Sequence, residues 1–219
     1  KYSGADIMKH LVRYLRSGRR IKQSDIFSLD DTIEFLFNSY HGYPNNDEKQ
    51  RQFMIDKYKN ELAVIYRYNI RRIRRTLRKS DEYYEKYFET GIGNDYYNLI
   101  WSVRKLKSII SASNIKPIKM ETDKLINLVN LSGITKNGLR RAKHNKRPII
   151  VAEFPYLNQR YLVVDGNHRL YYRAKRGDRL IDCYLLSPQQ HKKAMVNDLF
   201  RYIFDLNAEL GNVLHRKIL

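Results

Sequence analysis

The sequence predicts an α+β protein with a helical N-terminal domain, residues 1–112, and a smaller α/β domain with a C-terminal helix, residues 113–219. Apolar residues of the first half recur at three- and four-residue steps, which is typical of amphipathic helices. The second half contains short β-branched and aromatic runs bounded by turn residues, which are typical of strands. The composition changes at the small polar run Ser111-Ala112-Ser113-Asn114, where we expect the domain boundary.

In the first half, the spacing predicts helices over residues 7–15, 24–40, 47–79, 81–87 and 94–110, with a loop at 41–46. The predicted helix 47–79 has Leu62, Ile65, Ile70 and Ile73 on one face. Its other face is basic, which indicates either an anion-binding surface or an ordinary solvated face. The tyrosines of this half could stack on bases, although core packing is the commoner role at this spacing.

In the second half, the patterns predict an edge strand at 115–120, a helix at 122–130 capped by Thr122, and a helix at 137–145. A hairpin follows, with strands 149–154 and 160–164. After a helix that begins near Asn167, the chain should form a strand over 179–186 and a helix over 189–206.

The charge balance favours an anionic partner, because 42 basic residues stand against 23 acidic ones and give a net charge of +19. Nucleic acid is the leading candidate, double-stranded DNA in particular, and an anionic membrane surface is second. We expect no membrane span, since no apolar run approaches the roughly 20 residues required. The single cysteine, Cys183, excludes an internal disulfide and indicates a reducing, cytoplasmic compartment. The predicted nucleic-acid-binding residues are Arg67, Arg71, Arg72, Arg74, Arg75, Arg78, Lys79, Arg140, Arg141 and Lys143.

The segment Y-L-V-V-D-G-N-H-R, residues 161–169, is the strongest candidate site. It reads as a buried strand, a glycine turn at Gly166, and a helix capped by Asn167. Such a turn gathers unpaired backbone N–H groups at a helix N-terminus, where an anion is favoured. His168 and Arg169 add side-chain donors, and Asp165 could hold a metal, accept a proton or orient His168. The alternative for Arg169 is pairing with an internal carboxylate such as Asp182 or Glu153.

At Asp165-Gly166-Asn167-His168-Arg169, the sequence resembles the ParB/sulfiredoxin-like superfamily, whose members carry a D-G-x-H-R-like or G-C-H-R-like turn between a strand and a helix. The resemblance extends over about residues 115–187. It implies a small domain with a mixed sheet, and nucleotide phosphates bound by Gly166, Asn167, His168 and Arg169. A nucleoside triphosphate, CTP or ATP, and Mg²⁺ are the cofactors that it suggests.

Three functions follow from this resemblance. One is a DNA-directed ParB-like nuclease in which Asp165 and His168, with Glu121 or Glu153, organise a divalent metal. The second is a phosphotransferase similar to free serine kinases, with Glu121 as the base. The third is a non-catalytic DNA-binding regulator switched by a nucleotide. Sulfinic acid reduction is excluded because Asn167 replaces the thiol, and too little chain follows residue 187 for the usual plan of a partition protein.

Overall fold

A computed structural model describes residues 10–18, 21–39, 48–129, 131–154 and 160–215. The predicted loop at 41–46 and the predicted start of the first helix at Ile7 lie outside these residues. The chain divides into two compact units: residues 1–100 together with 195–219, and residues 101–194. The predicted boundary at 112/113 therefore falls inside the second unit, and the C-terminal helix belongs to the first.

The class is α+β, as predicted. The helices are α1 (Leu11–Arg16), α2 (Asp30–Ser39), α3 (Glu48–Tyr66), α4 (Ile70–Thr76), α5 (Val103–Ala112), α6 (Thr122–Ile126), α7 (Lys136–His144), α8 (Asn167–Lys175), α9 (Pro188–Lys192) and α10 (Asp198–His215). The strands are β1 (Phe27–Ser28), β2 (Tyr83–Glu89), β3 (Tyr96–Ser102), β4 (Ile118–Glu121), β5 (Ile149–Glu153), β6 (Tyr161–Asp165) and β7 (Leu180–Leu186). Short 3₁₀ turns occupy Gln23–Asp25 and Leu131–Gly133.

The first unit contains a three-stranded sheet in the order β1-β3-β2, so the prediction of a purely helical N-terminal domain is wrong. The runs Y-Y-E-K-Y-F-E and Y-Y-N-L-I-W-S, predicted as helices, form β2 and β3 because aromatic residues suit a pleated, half-buried surface. The G-x-G between them is a turn, with φ of 77° at Gly91 and 53° at Gly93.

The side chain of Asp95, at the start of β3, joins the sheet to α2. Its buried carboxylate accepts hydrogen bonds from the Ser28 hydroxyl (2.8 Å) and from the Thr32 backbone N–H (2.6 Å). The second bond satisfies an orphan donor in the first turn of α2. A buried carboxylate is tolerated here because its oxygens have donors from both elements.

The predicted helix 47–79 is two helices, α3 and α4. The Asn69 side chain accepts a hydrogen bond from the Arg71 N–H at 2.9 Å and caps α4, which breaks the helix at residues 67–69. Arg67 lies in this break, and Arg78 and Lys79 follow the end of α4. The predicted basic stripe is therefore not one continuous helix face.

The second unit is built on a four-stranded mixed sheet in the order β4-β7-β5-β6. Strands β5 and β7 are parallel, while β4 with β7 and β5 with β6 are antiparallel. Strand β4 lies at the edge, as predicted from Pro117. Helix α6 is shorter than predicted and is N-capped by Glu121, not Thr122. The predicted helix 189–206 is interrupted between α9 and α10, where the Val196 N–H donates to the Ile100 carbonyl.

The core of the second unit joins one face of the sheet to α6 and α8 through Leu125, Val163, Leu170 and Cys183. Cys183 is fully buried, and burial raises the pKa of its thiol to about 11. His191 of α9 is also fully buried, and its Nε2 lies 3.0 Å from the Glu153 carbonyl oxygen. Burial lowers the pKa of His191 to about 4, so the imidazole is neutral in the fold.

Glu85 of β2 is a half-buried acid whose ionisation should make the first unit pH-sensitive. Burial raises its pKa from 4.5 to about 7, although the Val12 N–H bond (2.6 Å) and the charge of Arg16 favour the carboxylate. The folded-state pKa exceeds the unfolded value, so this site loses stability as pH rises from 4.5 to about 7.

We expect Glu85→Gln, which keeps an oxygen for Val12, to be more stable than the wild type by about 1–3 kcal/mol at about pH 8 and equal to it at about pH 4. Urea unfolding at both pH values measures the difference. Glu82→Gln, at an exposed neighbouring position, is the control and should show no such pH dependence. An equal gain at both pH values would mean that Glu85 acts through packing instead of charge.

Candidate functional site

The turn between β6 and α8, residues 165–169, is called the Asp165 turn below. Gly166 adopts the left-handed conformation, with φ of 99°, which disfavours any residue with a Cβ. A Cβ there would also lie 2.5 Å from Cγ2 of Ile149 and 2.8 Å from Nη2 of Arg169. Gly166 is itself the N-cap of α8, so the prediction of Asn167 as the cap is wrong. The Asn167 amide instead donates to the Val163 carbonyl at 3.4 Å.

The Asp165 carboxylate lies between two cations. Its Oδ2 is 3.5 Å from Nζ of Lys107 and 3.5 Å from Nη2 of Arg169. Asp165 and Arg169 are only 13% and 14% exposed, whereas Lys107 is 55% exposed. Sequence reasoning missed Lys107, because nothing in the pattern of α5 distinguishes it from the neighbouring Lys105. The cluster of Asp165, Arg169 and Lys107 has a net positive charge and suits an anion better than a metal cation.

Arg169 is held within the second unit by Asp165 and by the Pro148 carbonyl, which accepts a bond from Nη2 at 3.3 Å. Its predicted alternative partners pair elsewhere: Asp182 with Lys119 (3.0 Å) and Glu153 with Arg160 (2.9 Å). The Nε of Arg169 is buried and has no hydrogen-bond partner among the described residues. Arg169 therefore both braces the fold and retains one enclosed donor for which the described residues supply no acceptor.

His168 connects α8 to the start of α7. Its Nε2 accepts a hydrogen bond from the Thr135 N–H at 3.1 Å and lies 3.4 Å from the Thr135 hydroxyl. Thr135 is the N-cap of α7, and its hydroxyl accepts from the Gly138 N–H at 3.1 Å. A Cβ on Gly138 would overlap the His168 ring. His168 is therefore a positioning residue for α7 in this arrangement, with Nε2 acting as an acceptor.

Helix α7 and the loop after it form an open groove of about 1170 Å³, called the α7 basic groove. Its lining residues are Arg140, Arg141, Lys143, His144, Asn145, Lys146 and Arg147. All except Asn145 are exposed basic residues or histidine, and none is acidic. Cations in the last turn of α7 are favoured by the helix dipole, so the fold accommodates this concentration of charge. The groove provides donors for several anionic groups at once.

The predicted arginines of the first unit form a second, smaller basic surface. A groove of about 630 Å³ is lined by Arg71 and Arg74 together with Tyr68, Asn69 and Gln23 among others. Arg71, Arg72 and Arg75 are exposed, whereas Arg74 is half-buried with an enclosed Nε. The tyrosines Tyr84 and Tyr97 lie inside the unit, where burial raises their pKa.

Glu121, predicted as a catalytic base, is not brought to the Asp165 turn. Strands β4 and β6 lie at opposite edges of the sheet, so three inter-strand spacings, roughly 14 Å, separate them across the sheet alone. Glu121 is exposed and pairs with Lys124 at 3.1 Å. No group of three His, Cys, Asp or Glu side chains that could hold a metal occurs among the described residues. The neighbours of Asp165 are cations, which do not fit its predicted role as a Mg²⁺ ligand.

Comparison with protein families, curated proteins and solved structures finds no match to this chain, so the resemblance to the ParB/sulfiredoxin-like superfamily remains a prediction from the Asp165 turn. Within the described parts of the chain, no helix has the length and apolar character needed to cross a bilayer.

Because His168 lies so close to Gly138, replacing this glycine with alanine should change stability in the direction opposite to the one that helix propensity predicts. Alanine normally stabilises a helix interior by about 1 kcal/mol relative to glycine. We expect Gly138→Ala to destabilise the protein by about 1–3 kcal/mol, because the new methyl group displaces the His168 ring. Urea unfolding measures the loss. Gly133→Ala, where a Cβ would meet open space, is the control.

The same variant in a His168→Ala background separates steric overlap from a general effect on α7. The loss should largely disappear there, since the ring that the methyl group meets is gone. A Gly138→Ala cost that persists without the imidazole would contradict the proposed contact.

Proposed function

We propose that this protein binds nucleic acid through the phosphate backbone, and that the α7 basic groove is the principal contact surface. The observation that carries the proposal is a groove whose lining residues are basic or amide-bearing and include no carboxylate. Each phosphate that such a surface neutralises releases counterions, which strengthens binding at low salt. Contacts to phosphates position a nucleic acid without reading its sequence.

The packing of α7 supports this proposal, because a charged surface binds more tightly when it is preorganised. Thr135 caps the helix, Gly138 allows the close approach of His168, and the His168 imidazole fixes the start of α7 against α8. The Arg140 and Arg141 side chains are then carried on a helix that is held at its N-terminal end. An open groove with cations along a helix end and a loop favours an extended polyanion such as double-stranded DNA.

A second candidate function is the binding of a nucleotide phosphate at the Asp165 turn. The favouring observation is the enclosed Nε of Arg169, which has no hydrogen-bond partner among the described residues, beside the exposed Lys107. A phosphate at this point would give Arg169 a charge-assisted acceptor. Because Asp165 already pairs with both Lys107 and Arg169, an incoming phosphate must compete with this carboxylate. A nucleotide bound in this way would fit a DNA-binding regulator switched by CTP or ATP.

Removal of groove cations should weaken nucleic-acid binding and flatten its salt dependence. We expect Arg140→Ala, Arg141→Ala and Lys143→Ala combined to reduce the slope of log affinity against log salt by about 3 if each cation contacts one phosphate. Fluorescence anisotropy with a labelled duplex of mixed sequence, over a range of salt concentrations, measures both quantities. The loss should be similar for unrelated duplex sequences.

The double variant Arg71→Glu and Arg75→Glu is the matched comparison, since both side chains are exposed and Arg74 is spared. If the α7 basic groove is the principal surface, this charge reversal weakens binding less than the triple alanine variant does. Equal affinity of the triple variant and the wild type at low salt would overturn the proposal. A larger loss of affinity in the Arg71/Arg75 variant would mean that the principal binding surface lies in the first unit.

For the Asp165 turn, we expect Arg169→Ala and Lys107→Ala each to weaken nucleotide binding by about 10- to 150-fold, which corresponds to a charge-assisted contact of about 1.5–3 kcal/mol. Asp165→Asn should strengthen binding, because the amide no longer competes for the two cations. Calorimetric titration with CTP and ATP, with and without Mg²⁺, measures these affinities. Weaker binding in Asp165→Asn, or binding that requires Mg²⁺ and this carboxylate, would favour the metal-ligand role instead.

A further inference from the structure

The first unit contains an apolar groove between α3 and α10 that the proposed nucleic-acid function does not use. Its volume is about 300 Å³, and its lining residues are Glu61, Val64, Ile65, Tyr202, Asp205, Leu206 and Glu209. Ile65 and Leu206 are buried and form its apolar base. Val64 and Tyr202 are 59% and 51% exposed, which is unusual for large apolar side chains that lie together.

The rim of this groove has the opposite charge to the protein as a whole. Three of its seven lining residues, Glu61, Asp205 and Glu209, are acidic, in a chain with a net charge of +19. Lys57 lies beside them, 4.0 Å from Oε1 of Glu61 and hydrogen-bonded to Glu209. The pKa of Glu61 is nevertheless raised, by burial first and then by the charge of Glu209. At Glu61, burial and the charge of Glu209 together therefore outweigh the attraction of Lys57.

We propose that the α3/α10 groove binds a basic amphipathic helix of a partner protein. Helices that dock in grooves place apolar side chains at i, i+3, i+4 and i+7 on one face. Here, such a face would cover Ile65 and Leu206 between the exposed Val64 and Tyr202. Lysine or arginine residues that flank it would meet Glu61, Asp205 and Glu209 at the rim, where charges set specificity and the rate of association.

The charge pattern argues against the other classes of occupant. Nucleic acid and anionic lipid would meet the carboxylates of the rim directly and be repelled. A two-fold contact between two copies of this chain would set each acidic rim against its own copy, since a two-fold interface is self-complementary in position. A cationic helix both covers the apolar base and relieves the repulsion at the rim. This inference does not depend on the proposed nucleic-acid function.

The test uses a synthetic, fluorescein-labelled peptide with leucines at i, i+3, i+4 and i+7 and lysines at the remaining positions. We expect it to bind the intact protein in physiological salt. A peptide of equal composition with the leucines distributed around the helix should bind at least ~10-fold more weakly. Fluorescence anisotropy gives both affinities, and equal affinity for the two peptides would overturn the proposal.

Two double variants test the surface itself. The variant Val64→Ser with Tyr202→Ser removes the apolar contacts, and the variant Glu61→Gln with Asp205→Asn removes charge from the rim. Each double variant should bind the amphipathic peptide at least ~10-fold more weakly than the wild type does. Glu34→Gln, at an exposed acid on α2, is the charge control and should leave affinity unchanged. Thermal unfolding confirms that each variant is folded. Unchanged binding in both double variants would overturn the proposal.

Sedimentation of the wild type without peptide provides the last arm. A monomer agrees with a partner protein as the occupant. Self-association that either double variant abolishes would identify a second copy of this chain as the occupant and overturn the proposal.

Discussion

The contact between the His168 ring and Gly138 is the constraint on which the candidate site depends. Only a residue without a Cβ allows α7 to approach α8 closely enough for the imidazole to accept the Thr135 N–H bond. That bond fixes the start of α7, and the direction of α7 in turn fixes where Arg140 and Arg141 lie. The Asp165 turn thus positions the α7 basic groove through the packing of His168. The phosphate binding proposed for this turn is a separate property, which would depend on Arg169 and Lys107.

The second unit could be predicted from the sequence almost element by element, because its signals are local. A β-branched strand, a glycine turn and an amphipathic helix are each encoded within a few residues, and the turn between Val164 and Leu170 formed where the sequence predicted it. The partners of that turn could not be predicted. Long-range packing brings three residues to the turn, namely Lys107, Thr135 and Gly138. No local pattern distinguishes them from neighbours of the same type.

The first unit was predicted less well because two features there share the apolar spacing of a helix: the strands β2 and β3, and the break between α3 and α4. Aromatic residues in β2 and β3 were assigned to helices, although the run Y-Y-E-K-Y-F-E equally suits a strand, and the pairing of β3 with the two-residue β1 depends on distant residues. At residues 67–69, the apolar spacing continues across a break, so periodicity alone did not reveal it. Asn69 was the available signal, because asparagine favours the N-cap of a new helix.

The distribution of charge explains more about this protein than its net value of +19 does. Among the described residues, the α7 basic groove has no acidic lining residue and the α3/α10 groove has three. The Asp165 turn places one carboxylate against two cations. At the turn, a small monovalent anion would gain little binding free energy, because Asp165 already neutralises much of the positive field of Lys107 and Arg169. A phosphate group has nearly twice the charge and several acceptor oxygens, so in the proposed site it would interact with both Lys107 and Arg169. A carboxylate inside a cationic site would in this way favour phosphate over simpler anions.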